Sequence, residues 1–214
     1  MGKRLSLIWK VIICLLMLLL VSCATINKRD IRKQELTLSE FDKISFYGVG
    51  NLNIRTSDDY RLVITSMRDW AEILSIDVQD NTLKMGHEYA IGYYGKKPNF
   101  DIYLPNIEKV DVAGVVNIAF PKGNYTNLEI NASGLVNCKF EGGSAENLIF
   151  NKSGVGNLKA SSLVANYINI KSKGVGHINL RAEEELDIEH KGFGIFKTSG
   201  KYSLFSFGYL KHKS

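Results

Sequence analysis

A glycine set among alternating apolar residues returns six times along this chain and restricts its fold more than any other feature. Aligned on the first glycine, the copies read YGVGNLNI from Tyr47, AGVVNIAF from Ala113, SGLVNCKF from Ser133, SGVGNLKA from Ser153, KGVGHINL from Lys173 and KGFGIFKT from Lys191. The last five glycines, Gly114, Gly134, Gly154, Gly174 and Gly192, recur at about 20 residues, the kind of period that marks a stacked array. A glycine-rich phosphate loop occurs once per site and opens a helix. Every copy here leads into another alternating strand, so the glycines are read as bends.

Apolar pairs two residues apart precede the later glycines: Leu128 and Ile130, Leu148 and Phe150, Ile168 and Ile170, Leu186 and Ile188. Others follow them: Cys138 and Phe140, Leu158 and Ala160, Ile178 and Leu180, with Phe196 and Thr198 in the last copy. Residues two apart on a strand face the same side, so each repeat offers two short strands with inward side chains and a bend between them. A single repeat cannot bury such a face, whereas successive turns stacked on one another can. The expected fold class is all-β, a β-solenoid or β-helix-like stack with a repeat of roughly 20 residues.

Two outward files follow from the same alignment. Three residues after the glycine stand Asn51, Asn117, Asn137 and Asn157, then His177 and Ile195. Asn tolerates turn conformations and bonds nearby backbone, so this file stabilises the bend; a row that grips a ligand is the alternative. Five residues after the glycine stand Asn53, Ala119, Lys139, Lys159, Asn179 and Lys197. Solvated lysines there discourage edge-to-edge pairing, or they form a weakly cationic stripe for an acidic glycan or a lipid headgroup.

The N-terminus carries an address. MGKRLSLIWK supplies a positive start, VIICLLMLLLV an apolar run of eleven, and LVSC a small-residue site ending at Cys23. That run suits a signal peptide and is short for a membrane-spanning helix, which needs about 20 residues. The site resembles the lipobox of bacterial lipoproteins, which implies a lipidated Cys23; an uncleaved anchor and an ordinary signal peptide are the alternatives. The expected organisation is a lipoprotein signal peptide over residues 1–22, the lipidated cysteine and a flexible polar tether over 23–34, and a β domain with a C-terminal capping strand over 35–214. Cys14 then leaves with the leader, and Cys138 has no disulfide partner. Because the other copies hold apolar residues in its slot, Cys138 reads as a small buried hydrophobe.

The remaining chain is strand and turn, with Asn81 marking a turn between Val78 and Leu83 and only Arg68 to Ser75 suited to a short helical turn. A net charge of +5 without a clustered stripe gives no footprint for nucleic acid. The longest loop, Gly86 to Phe100, places Tyr89, Tyr93, Tyr94 and Phe100 beside Lys96 and Lys97. Rigid aromatics with nearby cations suit sugars or proteins, which makes these six a candidate partner-binding loop; the alternative is a hairpin whose aromatics pack back onto the domain. His87, His177, His190 and His212 are too scattered for a metal motif, and no GxSxG elbow is present. Glu183 to Glu185 read as a solvated turn rather than a calcium site, and the sequons at Asn124, Asn131 and Asn151 bear on glycosylation only in a eukaryotic secretory setting. No catalytic residue, cofactor or metal is expected.

Taken in order, FDKISFYGVGNLNI, LVIT, NTLKM, FDIYLPNIEKVDVAGVVNI and the serial SGLVN, SGVGN and KGVGH resemble the head GIN domain family, also described as a putative auto-transporter adhesin head domain, over roughly Phe41 to Ser199. The Gly-Ile-Asn of the family name is replaced here by Gly-Val-Gly-Asn and Gly-Val-Val-Asn. The resemblance implies an exported bacterial protein, commonly lipid-anchored, with no catalytic residues carried over. The expected function is therefore non-enzymatic: adhesion, or protein or glycan binding, at the cell envelope, with the outer membrane or cell surface favoured over the inner membrane. The expected partners are a membrane through the lipid anchor and another protein or a glycan. A periplasmic scaffold or envelope-stress partner is one alternative, and a polysaccharide-active β-helix enzyme is another.

Overall fold

The computed structural model describes residues 31–66, 74–86 and 97–209, with backbone alone for residues 205–209. The chain divides into two units, Met1–Ile31 and Arg32–Ser214, and every described strand lies in the second. Those strands are β1 (Arg32–Thr37), β2 (Lys43–Thr56), β3 (Arg61–Ser66), β4 (Ser75–Gln79), β5 (Thr82–Gly86), β6 (Asn99–Leu104), β7 (Lys109–Phe120), β8 (Gly123–Phe140), β9 (Gly143–Val155), β10 (Leu158–Ser199) and β11 (Ser203–Tyr209). They form one sheet, and among the described residues there is no helix. The architecture is all-β, and the sheet does not close on itself.

The first part of the sheet is mixed. β1 and β6 both run antiparallel to β3, and β4 and β5 form a hairpin. Asp80 and Asn81 connect that hairpin with φ of 52° and 57°, the left-handed pair that a two-residue turn between twisted strands needs. This is the turn that Asn81 marks in the sequence. β2 joins this part to the repeats: along one edge its first half pairs with β5 and its second half with β6, and along the other it pairs with β7.

From β7 onward the pairing is parallel and steps by one repeat. Lys109 lies beside Glu129 and Phe120 beside Phe140, and the register then passes from β8 to β9 and from β9 to β10. The offset is 20 residues as far as His177, whose amide meets Asn157, and 18 by Asp187, which meets Asn169. Two residues therefore drop out of the last period between His177 and Asp187.

Most bends do not interrupt the strands, contrary to the expectation of separate short strands; the exception follows Gly154, where β9 ends at Val155 and β10 opens at Leu158. Gly114 pairs with Gly134, Gly134 with Gly154 and Gly154 with Gly174, so the ladder runs through each corner and β10 extends for 42 residues. At Gly154 φ is +112°, and a Cβ would stand 2.3 Å from the carbonyl oxygen of Gly134. Glycine is needed there both for its backbone conformation and for the close approach of the neighbouring strand.

The core is the inward side of these strands. Leu128, Ile130, Cys138, Phe140, Leu148, Phe150, Leu158, Ala160, Ile168, Ile170, Ile178, Leu180, Leu186 and Ile188 are all buried, each large one contributing about 1.5–3 kcal/mol by leaving water. Phe120 and Phe140 stack with ring centroids 4.4 Å apart. In the last copy Phe196 is only half-buried and Thr198 is exposed. The C-terminal strand, β11, runs parallel to the Glu185–His190 stretch of β10 as the edge of the sheet.

Two boundaries move. β1 starts at Arg32, inside the stretch expected to be a tether, and pairs with β3 from Arg32 opposite Ser66 to Thr37 opposite Arg61. It is an edge strand in which Lys33 and Glu35 face solvent while Gln34 and Leu36 are half-buried; charge on such an edge blocks further pairing and hides the apolar alternation that marks a buried strand. The expected helical turn from Arg68 to Ser75 lies mostly outside the described residues; Leu74 is buried and Ser75 opens β4.

Candidate functional site

Each glycine corner separates two outward polar faces. On the face after the bend, the asparagines form one hydrogen-bonded file: the side-chain amide of Asn51 donates to Asn99 at 2.9 Å, Asn117 to Asn51 at 2.9 Å, Asn137 to Asn117 at 3.0 Å and Asn157 to Asn137 at 3.0 Å. The backbone N–H of His177 closes it on Asn157 at 2.9 Å. The parallel register sets side chain directly over like side chain at roughly 4.8 Å, so amide bonds amide, while Asn137 and Asn157 also accept a backbone N–H, the partner expected from the sequence. Asn99 lies outside the glycine alignment and joins only because β6 pairs with β2.

Beside this file runs the second outward column, in which Asn53 pairs with Ala119, Ala119 with Lys139 and Lys139 with Lys159. Asn53 donates to Asp101 at 3.1 Å. The two columns line an open groove of about 540 Å³. Each Asn in the file keeps one side-chain N–H for an outside partner, and Lys139 and Lys159 add positive charge. The face thus repeats one donor-acceptor unit at strand spacing, which matches an extended chain of hydroxyl, amide or acidic groups.

The face before the bend carries a second file. Asn131 donates to Asp111 at 2.6 Å and to Glu129 at 2.7 Å, and Asn151 donates to Asn131 at 2.8 Å. The Asn131 hydrogen bond, with Lys109 at 3.2 Å, holds the Glu129 carboxyl below its ordinary range. Lys171 and Glu189 continue this side of an open groove of about 600 Å³ that also holds Tyr47 and Lys173. The glycine alignment contains this file, three residues before each bend, but no single residue type repeats through it.

Of the residues singled out in the sequence, Cys23, Tyr89, Tyr93, Tyr94 and Lys96 lie outside the described residues. Lys97 is half-buried beside Pro98, whose carbonyl accepts the Asn51 amide at 2.9 Å. Phe100 is not available to a partner: it is fully buried in β6 with its ring 5.3 Å from that of Phe46. Its alternation with Ile102 and Leu104 makes it the first inward residue of a strand rather than the last of a loop. Cys138 is buried and free, and burial pushes its thiol up to about 12. Glu183 pairs with Arg181 at 2.8 Å, and Glu184 accepts the Tyr167 hydroxyl at 2.5 Å. His177 stands in the asparagine file, and His190 is buried with its ring 4.8 Å from Phe196.

Three inward residues, Lys152, Ser172 and His190, share one slot two residues before the bend and escape the apolar pattern. Lys152 is 5% exposed, and its ammonium donates to the carbonyls of Gly154 at 2.9 Å and Val175 at 2.8 Å. Burial lowers its pKa. It ties one corner to the next from the inside, and the glycine alignment signals it only as a lysine in a slot that holds Phe46, Val112 and Ala132 in earlier copies and Ser172 and His190 in later ones.

No curated protein matches the sequence. The fold is shared with solved structures: a putative adhesin from Bacteroides fragilis NCTC 9343 superposes with a TM-score of 0.60 at 22% identity, over 83% of this chain and 97% of that one. A putative adhesin from Parabacteroides merdae ATCC 43184 does so with a TM-score of 0.50 at 16% identity, over 86% of this chain and 98% of that one. The sequence profile described as "Putative auto-transporter adhesin, head GIN domain" matches residues 40–201, nearly the whole of the sheet with its glycine corners, and the chain belongs to that family.

Proposed function

We propose that this chain is a lipid-anchored protein of the bacterial cell envelope whose domain, a short β-solenoid, binds an extended protein or glycan partner in adhesion and catalyses no reaction. The observation that carries the reading is the file from Asn99 through Asn157 with Lys139 and Lys159 beside it. It is a repeating polar face on a rigid scaffold, suited to a partner that is itself repetitive. The parallel offset of 20 residues supports the solenoid, and the leader ending at Cys23 supports the anchor. The family description and the adhesin names of the similar structures support the biological setting.

Metabolic labelling with a fatty-acid analogue, followed by protease treatment of intact cells, tests the anchored and displayed state. The expected result is labelling that Cys23→Ala abolishes, together with cleavage before lysis. Labelling with full protection until lysis overturns adhesion and directs the search to a periplasmic partner. Binding of the cells to immobilised envelope glycans and matrix proteins, lost on Lys139→Glu with Lys159→Glu, tests the face itself.

A further inference from the structure

The corner between the two polar faces is itself apolar. The residue immediately after each bend glycine is Val49, Val115, Leu135, Val155, Val175 or Phe193, and pairing places the first five in one line, Val49 to Val115 to Leu135 to Val155 to Val175. Gly192 packs on Gly174 as Gly174 does on Gly154, which carries the line on to Phe193. Exposure rises toward this end: Val49 and Val115 are half-buried, whereas Leu135, Val155, Val175 and Phe193 are 43%, 51%, 48% and 75% exposed. A continuous apolar line on a soluble face marks a contact site.

The charges beside the line change along it. At the β7 end Asp111 and Glu129 engage Lys109. At the β10 end Lys171 and Lys173 stand on one side and Lys159 and Lys197 on the other, beside Ile195. None of these four lysines forms an ion pair among the described residues, and Glu189, the carboxylate nearest Lys171 in the same file, is held by Lys191 at 3.2 Å. The line is a projecting corner rather than a groove, so it suits a yielding surface that flows around the side chains. Aliphatic and aromatic groups entering at headgroup depth while lysines reach phosphates is the arrangement that holds proteins on anionic bilayers.

We propose that the Leu135-to-Phe193 stretch of this corner rests on an anionic lipid surface, with Val155, Val175 and Phe193 entering the interface and Lys171, Lys173 and Lys197 meeting lipid phosphates. The proposal rests on the anchored reading above: residues 24–31 between Cys23 and β1 reach no further than roughly 30 Å when fully extended, so a lipidated Cys23 keeps the domain beside a bilayer.

The test uses the full chain recovered from membranes and reconstituted in vesicles of phosphatidylcholine alone or mixed with phosphatidylglycerol. An environment-sensitive fluorophore is placed at Val155→Cys or, as the distant control, at Asp58→Cys, and quenching by spin-labelled lipid is read. The expected result is quenching at Val155 in phosphatidylglycerol vesicles, its loss in phosphatidylcholine alone and with Lys171→Glu plus Lys173→Glu, and no quenching at Asp58. Vesicle flotation with Val155 quenched no more than Asp58 overturns the docking and leaves the anchor standing. Failure to float overturns both. Protection of Val155 that follows protein density instead of lipid charge assigns the corner to a second copy of the chain and overturns the proposal.

Discussion

Asn137 donates its side-chain amide to Asn117 at 3.0 Å and accepts both the backbone and side-chain N–H of Asn157, at 3.1 and 3.0 Å. One side chain thus joins β7, β8 and the short break between β9 and β10. Asn137→Ala removes the middle of the file and leaves part-buried groups without partners on both sides. The expected cost is about 1–3 kcal/mol, read as a lower urea midpoint with an unchanged slope.

The corner glycines predict a contrast between two substitutions. Gly154→Ala sets a Cβ 2.3 Å from a backbone oxygen at φ +112°, whereas at Gly86 the nearest atoms to a Cβ among the described residues are 3.6 Å away and φ lies outside the left-handed range. Gly154→Ala is expected to destabilise by at least about 2 kcal/mol. Gly86→Ala is expected to be neutral or to stabilise by up to about 1 kcal/mol, through the unfolded chain. Thermal unfolding of the two variants checks the pair.

Lys152 predicts a pH dependence of fixed sign. Burial lowers its pKa in the native state below the ordinary 10.5, so between the lowered value and 10.5 the unfolded chain binds more protons than the native one, and stability rises with pH. Below the lowered value both states are protonated and this contribution is flat. Lys152→Met lacks the group. Subtracting its urea midpoints from those of the parent chain at successive pH values isolates the rise, and a difference that falls toward pH 10.5 contradicts the assignment.

Cys138 is expected to resist alkylation while the domain is folded. With its thiol pushed up to about 12, only about one molecule in ten thousand carries a thiolate at pH 8, and the sulfur is buried. Iodoacetamide at pH 8 should leave Cys138 unmodified in native protein and modify it in urea, as read by peptide mass spectrometry.

Much of the repeating part was legible in the sequence because inward residues, bends and outward residues each recur at fixed places. Leu128, Ile130, Leu148 and Phe150 are buried as their spacing requires, and the asparagine file faces outward. Contacts made across the repeat boundary were less legible. Asn99 enters the file from a strand that does not share the repeat, and Asn131 binds Asp111 although the two differ in type. Lys152 is buried because a long side chain folds its ammonium back onto carbonyls, an outcome that hydrophobic patterning assigns to apolar residues. Phe100 stands where two signals overlap, the end of an aromatic, glycine-containing loop and the head of the alternation through Ile102 and Leu104, and its burial in β6 follows the second.

The stacked glycines also govern how the molecule can change length. A single inserted or deleted residue at a corner would set a side chain where Gly134 and Gly154 leave no room, whereas loss or gain of one whole period restores every contact. The two residues missing from the last period are absorbed between His177 and Asp187, away from the corners. A whole added period built like those at Gly134 and Gly154 would therefore lengthen the amide file by one rung and the corner by one apolar side chain, without altering the rungs already present.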